Sequence, residues 1–277
     1  MRSRVWAIGC ALALLAGVAT LAAIWSNGTK HSAACAPHIT APVPAAAKIA
    51  LAGYTGRIIH DVQRSTSGTR YESWEDPVTG SRRQVVFGPQ GRIESMFGTT
   101  RDGSVERTVW VLYPARRVLI TDHPVPANLQ PHGSRAAEAA QANRDEVANG
   151  TATILSRAVI DGRQTLHLHQ TIHPAAPPPP NGMPLPNGFH FPTMPAFNVD
   201  TWVDPLTYLP VRTRLGGFGR QGSSSITDET WLPRTPANIA KTKVVIPAGF
   251  KHVVPNQSSG VAFSSGTDRL VSSSCQS

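Results

Sequence analysis

The chain has 277 residues, with 26 Lys and Arg against 17 Asp and Glu and only 16% charged residues. Its 40% of hydrophobic residues can fill a buried core, which excludes a wholly disordered polyelectrolyte. The formal charge of +9 is spread along the chain and forms no basic stripe, which speaks against a nucleic-acid partner and suits a body beside an anionic membrane surface.

Arg2 and Arg4 precede Val5 to Trp25, a run of 21 residues without a charge. At about 1.5 Å per residue such a helix spans roughly 30 Å, one hydrocarbon core. Residues 1–25 therefore read as a transmembrane signal anchor. The positive-inside bias places the body outside the cytoplasm, in a single-pass arrangement at the cell membrane. The alternative is a long signal peptide that is cleaved to release a secreted body. Residues 26–47, of Ala, Pro, Ser and Thr, read as a linker, and residues 253–277 as a disordered tail, because neither has enough large apolar side chains to offset the entropy of ordering. Cys35 and Cys275 would share an oxidising compartment, which permits a disulfide without requiring one.

Residues 48–252 form the predicted folded body. Short runs rich in Val, Ile, Tyr, Phe, Trp and Thr predict strands over 57–64, 69–74, 82–87, 92–99, 105–113 and 116–121. Turns such as Thr66-Ser67-Gly68, Asp76-Pro77-Val78-Thr79-Gly80 and Gly88-Pro89-Gln90-Gly91 are too short for a parallel crossover, so the strands should pair antiparallel. Ser134 to Ala148 predicts a helix, Ala-rich and stopped at Asn149-Gly150. Strands over 152–160 and 163–172 flank the hairpin turn Asp161-Gly162. A Pro-rich insertion over 174–197 cannot join a sheet. Further strands are expected over 198–203, 208–215 and 223–231, a short helix over 235–240, and an edge strand over 244–246. No internal repeat is evident.

Val109 to Tyr113 and Val118 to Ile120 are apolar on both strand faces, and the helix available to cover them offers only thin Ala136, Ala137 and Ala140. Part of that surface is thus free for an apolar guest. The candidate lining is Trp74, Phe97, Trp110, Leu112, Leu119 and Trp202, large flat or branched groups suited to an acyl chain. His167 and His169 share a strand face, with His173 beyond them, and with His190 they could hold Zn or Cu. The competing reading is a solvated polar face, because no Asp, Glu or Cys lies nearby in sequence; replacing His167 and His169 should then shift stability by no more than about 0.5 kcal/mol. The sequence shows no nucleophile elbow, zinc-protease or phosphate-loop motif, so neither a catalytic residue nor a cofactor is assigned.

The segment Asp200-Thr201-Trp202-Val203-Asp204-Pro205-Leu206-Thr207-Tyr208-Leu209-Pro210 resembles the W-x-D-x-x-T-x-x-P pattern of LolA-like bacterial envelope proteins, with the Trp74-Glu75-Asp76-Pro77 turn and the Asp161-Gly162 hairpin in the expected order before it. The superfamily includes lipoprotein carriers, mycobacterial lipid-carrier lipoproteins and RseB-like regulators. The resemblance implies an α+β, mainly β fold: a curved antiparallel sheet, an incomplete barrel, packed on few helices around an apolar hollow. It implies a non-enzymatic domain that binds a lipid, a lipoprotein acyl chain or another apolar ligand. The alternatives are an RseB-like regulatory module acting on a membrane protein, and, third, an exported hydrolase.

Overall fold

The computed structural model describes residues 40–102, 104–124, 135–173, 195–218 and 223–253. The anchor over 1–25, Cys35, Cys275, His190 and the Pro-rich insertion up to Met194 lie outside them. Among the described residues no helix is long and apolar enough to cross a membrane. The chain divides into two units, Met1–Thr40 with His173–Met194 and Ala41–Ile172 with Pro195–Ser277, and every element below belongs to the second.

In chain order these are α1 (Ala45–Ala52), β1 (Ile58–Ser65), β2 (Arg70–Asp76), β3 (Ser81–Phe87), β4 (Ile93–Asp102), β5 (Val105–Leu112), β6 (Arg117–Pro124), α2 (Arg135–Ala148), β7 (Thr153–Ile160), β8 (Arg163–Ile172), β9 (Phe197–Val203), β10 (Pro210–Phe218), β11 (Ser223–Leu232), α3 (Pro236–Lys241) and β12 (Lys251–Val253). The strands form one open, curved sheet in the order β12-β6-β5-β4-β3-β2-β1-β11-β10-β9-β8-β7. All the pairs are antiparallel except β12 with β6. The fold is mainly β with few helices, as expected.

Directly opposed residues share a face of a sheet, so the registers define two faces. On the helix face, α1 and α2 bury Leu51, Ala136, Ala140 and Leu209, with Tyr54 and Trp231 packed around them. On the opposite, tail face, Val85, Met96, Val111 and Val118 are buried beneath Val244, Ile246 and Phe250 of the chain that follows α3. Three expectations need correction here. Val244 to Ile246 makes no edge strand, because its apolar side chains cover this core; the edge is β12. The contact is close enough that a Cβ on Gly98 would collide with the Val244 side chain and the Arg82 carbonyl. The Ala-rich helix packs at Leu209 and Trp231 and contributes nothing to the core over β5 and β6. Finally, α1 begins inside the expected linker: Ala47 is fully buried, and the Ala41 N–H donates to Asp145 Oδ1 at 2.8 Å.

The structure also reveals a repeat that the sequence reading missed. The run β4-β3-β2-β1 continues into β11-β10-β9-β8, so two four-strand units follow one another in the sheet. Each pairs a His with a Trp across its first two strands, His60 with Trp74 and His167 with Trp202, and each pair of rings is stacked, at 3.8 and 4.6 Å between centroids. Each Trp leads into the same turn, Asp76-Pro77-Val78-Thr79 or Asp204-Pro205-Leu206-Thr207. In both turns the Asp carboxylate accepts from the backbone N–H two residues on, Val78 at 3.1 Å or Leu206 at 3.0 Å. It also accepts from the Thr hydroxyl three residues on, at 3.0 or 2.8 Å. The next residue takes positive φ, +70° at Gly80 and +61° at Tyr208.

Candidate functional site

Phe97, Trp110 and Leu119 stand in line on the helix face of β4, β5 and β6, directly opposed in register. Neighbouring strands lie about 4.8 Å apart, so this row runs roughly 10 Å across the sheet. Leu112 extends it along β5. The Phe97 and Trp110 rings meet at 4.5 Å, tilted by 57°. All four residues are half-buried, and none belongs to either buried cluster. The other face of the same strands is closed by Val244, Ile246 and Phe250.

The other two expected lining residues do not join them. Trp74 and Trp202 fall on the tail face. Trp74 is only 5% exposed, stacks on His60, donates its Nε1–H to Glu72 at 3.2 Å and carries the Lys241 ammonium 4.4 Å from its ring centre. Trp202 stacks on His167. Alternation along a strand decides this: the aromatics look alike in sequence, whereas their registers assign them to opposite sides.

The apolar row continues across the helix face into polar residues, Gln84, Ser73, Asp61 and Glu229, each opposite the next. Ser73 Oγ donates to Asp61 Oδ2 at 3.2 Å. Asp61 Oδ1, Glu229 Oε1 and Arg82 Nε are sealed from solvent without a hydrogen-bond partner among the described residues, and the Trp231 Nε1–H lies near Glu229 but outside hydrogen-bond geometry. Burial pushes the Asp61 carboxyl up to about 6 against the pull of Arg82. Burial, reinforced by Asp61, raises Glu229 well above the usual carboxylate range. One side of this face thus offers apolar contact and the other a half-buried acid pair, each acid with one oxygen sealed from solvent.

On the tail face, β8 and β9 build a polar cluster around Asp200, whose side chain is 5% exposed. His167 Nε2 and His169 Nδ1 lie 3.0 and 2.8 Å from Asp200 Oδ1, while Arg214 Nε and Nη2 donate to Oδ2 at 3.0 and 2.6 Å. Burial alone would raise Asp200; the hydrogen bonds from His169, Arg214 and His167 outweigh it and hold the carboxyl down at about 2. An ionised carboxylate only accepts, so both imidazoles direct an N–H toward it, which fixes their tautomers. The cluster borders a shallow cleft of about 500 Å³ lined by Leu155, Asn198 and Gly216. His173 is exposed just past β8. Among the described residues no group of three His, Cys, Asp or Glu converges on a metal position. The expectation of a merely solvated histidine face is corrected: Asp200, missed because it lies on the next strand, organises it. The signal for it is the β8–β9 register, which sets Asp200 directly opposite His169.

No protein-family model and no curated protein matches the chain. Solved structures similar to it include LprF from Mycobacterium bovis, at 14% identity over 74% of this chain and 97% of that chain, with a TM-score of 0.33. An uncharacterized conserved protein from Thermus thermophilus is 8% identical over 75% of this chain and 96% of its own, with a TM-score of 0.30. A LolA superfamily protein from Nitrosomonas europaea is 12% identical over 71% and 97%, with a TM-score of 0.25.

Proposed function

We propose that this chain is a binding protein, not an enzyme, that takes a lipid, a lipoprotein acyl chain or another apolar ligand on its helix face over Phe97, Trp110, Leu112 and Leu119. The observation that carries the reading is the asymmetry of β4 to β6: one face is closed by a buried core, while the other presents four large apolar side chains that no core cluster absorbs. Covering such surface is favourable by about 25 cal/mol per Å² of apolar area removed from water. The uncharged run Val5 to Trp25 behind Arg2 and Arg4 supports a body tethered at the outer face of a membrane. The test is to express the chain without residues 1–39, extract it and look for bound lipid by mass spectrometry, then titrate the stripped protein with a fluorescent fatty-acid or phospholipid analogue. Lipid carried from expression and saturable binding are expected. A folded protein with neither contradicts the reading.

A further inference from the structure

The two repeats differ in one respect that bears on function. In the first, the chain's own segment after β11 occupies the tail face. Arg234 Nε and Nη2 donate to the fully buried Asp76 at 3.1 and 3.0 Å, and seven residues on Lys241 places its ammonium over Trp74. The segment thus reads the Trp-x-Asp of the first repeat with two cations, one for the carboxylate and one for the ring.

The second repeat presents the same pair, Trp202 and Asp204, on the same face. Trp202 and Asp204 are half-buried and, among the described residues, no Lys or Arg lies over the Trp202 ring and no basic side chain pairs with Asp204. The turn uses Asp204 Oδ1, from Leu206, Thr207 N–H and Thr207 hydroxyl donors, which leaves Oδ2 for another donor. Arg212, opposite Trp202, is committed to Asp228 and Asp161. His167 backs the ring as His60 backs Trp74, and an acid beneath holds each imidazole: Asp200 at 3.0 Å in the second repeat, Glu72 at 3.2 Å in the first.

We infer that Trp202 and Asp204 form a docking site for a basic segment of a partner protein, bound as Arg234 to Lys241 is bound to Trp74 and Asp76. The partner segment carries an Arg or Lys for Asp204 and, about two helical turns further, a Lys or Arg over Trp202, where an ammonium or guanidinium meets the negative face of an indole. One feature of the first site is missing. Asp228 stands where Gly98 gives Val244 its close approach, because each lies opposite the corresponding arginine, Arg212 or Arg83. The guest therefore lacks a Val244 counterpart and ends in a polar residue. This site is on the face opposite the apolar row, so it stands or falls independently of ligand binding.

The probe is a labelled peptide of the chain's own residues 233–243, which keeps Arg234 and Lys241 and omits Val244. It is titrated into the full-length chain in a neutral detergent and followed by fluorescence anisotropy, with a photoreactive group beside Lys241. Saturable binding with crosslinks to β9 or β10 is expected. Replacing both Arg234 and Lys241 of the peptide by Ala should weaken it at least tenfold, as should Trp202→Leu in a protein whose circular dichroism is unchanged. If Trp202→Leu does not fold, the peptide substitutions decide the matter alone. Absence of saturable binding, binding indifferent to the two peptide cations, or crosslinks confined to β2 and β3 would overturn the inference.

Discussion

Asp61 and Glu229 face each other across the β1–β11 ladder on the helix face, each with one carboxyl oxygen shut off from solvent and unpaired among the described residues. Glu75 of β2, Arg82 of β3 and Arg135 of α2 are the charged groups around them. Two ionised carboxylates so placed would repel at close range with little water to screen them.

The pair makes stability depend on pH in a definite direction. Both carboxyls are raised, so the folded chain holds protons that the unfolded chain releases. Their contribution is complete at acid pH, below the ordinary carboxylate range, and is lost as pH rises through about 6 and beyond. Asp200, held at about 2, acts oppositely, losing its contribution only as pH falls toward that value. Thermal melts between pH 4 and 8 should show stability declining from the acid end of this range, with the Asp61 contribution gone once pH passes about 6, and Glu229→Gln should flatten the decline. Parallel profiles for the two proteins would refute the assignment.

Removing the histidines that hold Asp200 should be costly. In His167→Ala with His169→Ala the buried carboxylate keeps only Arg214, and hydrogen bonds to charged groups are worth about 1.5–3 kcal/mol each. Both imidazoles remain partly exposed, so a combined loss of about 1–3 kcal/mol is expected in urea unfolding at pH 7. A change within about 0.5 kcal/mol would return the histidines to a solvated face.

Gly98 and Val244 should be energetically coupled. Gly98→Ala inserts a methyl into the Val244 side chain and the Arg82 carbonyl, an overpacking expected to cost about 1–3 kcal/mol. Val244→Ala removes one of the two obstacles, so the double variant should lose less than the sum of the single losses. Strict additivity in a double-mutant cycle would show that the tail does not pack there.

The strands were largely legible because alternation and turn residues are local signals. Asp161-Gly162 marks its hairpin within two residues, and Asn149-Gly150 marks the end of α2. What was not legible depended on distant partners. The linker's Ala-rich composition hid α1, whose Leu51 is buried in one cluster with Ala136 and Ala140 of α2 and with Leu209, far along the chain. Val244 and Ile246 read as a strand by propensity, and the core they cover decided otherwise. Asp200 becomes part of the histidine cluster only through the β8–β9 register. The repeat was hidden because its conspicuous residues, Trp, Asp, Pro and Thr, are few, and their shared geometry shows only when the two turns are compared. Of the six expected lining residues, Phe97, Trp110, Leu112 and Leu119 share a face and Trp74 and Trp202 lie on the other.

That separation supplies the most direct measurement. Affinity for a fluorescent acyl-chain analogue should be compared between Trp110→Asp, which puts a charge in the middle of the apolar row, and Trp202→Ala, on the opposite face, with circular dichroism confirming that each is folded. Binding over Phe97, Trp110, Leu112 and Leu119 predicts at least a tenfold loss for Trp110→Asp and no change for Trp202→Ala. Equal affinities for both variants and the wild type, or a loss confined to Trp202→Ala, would contradict it.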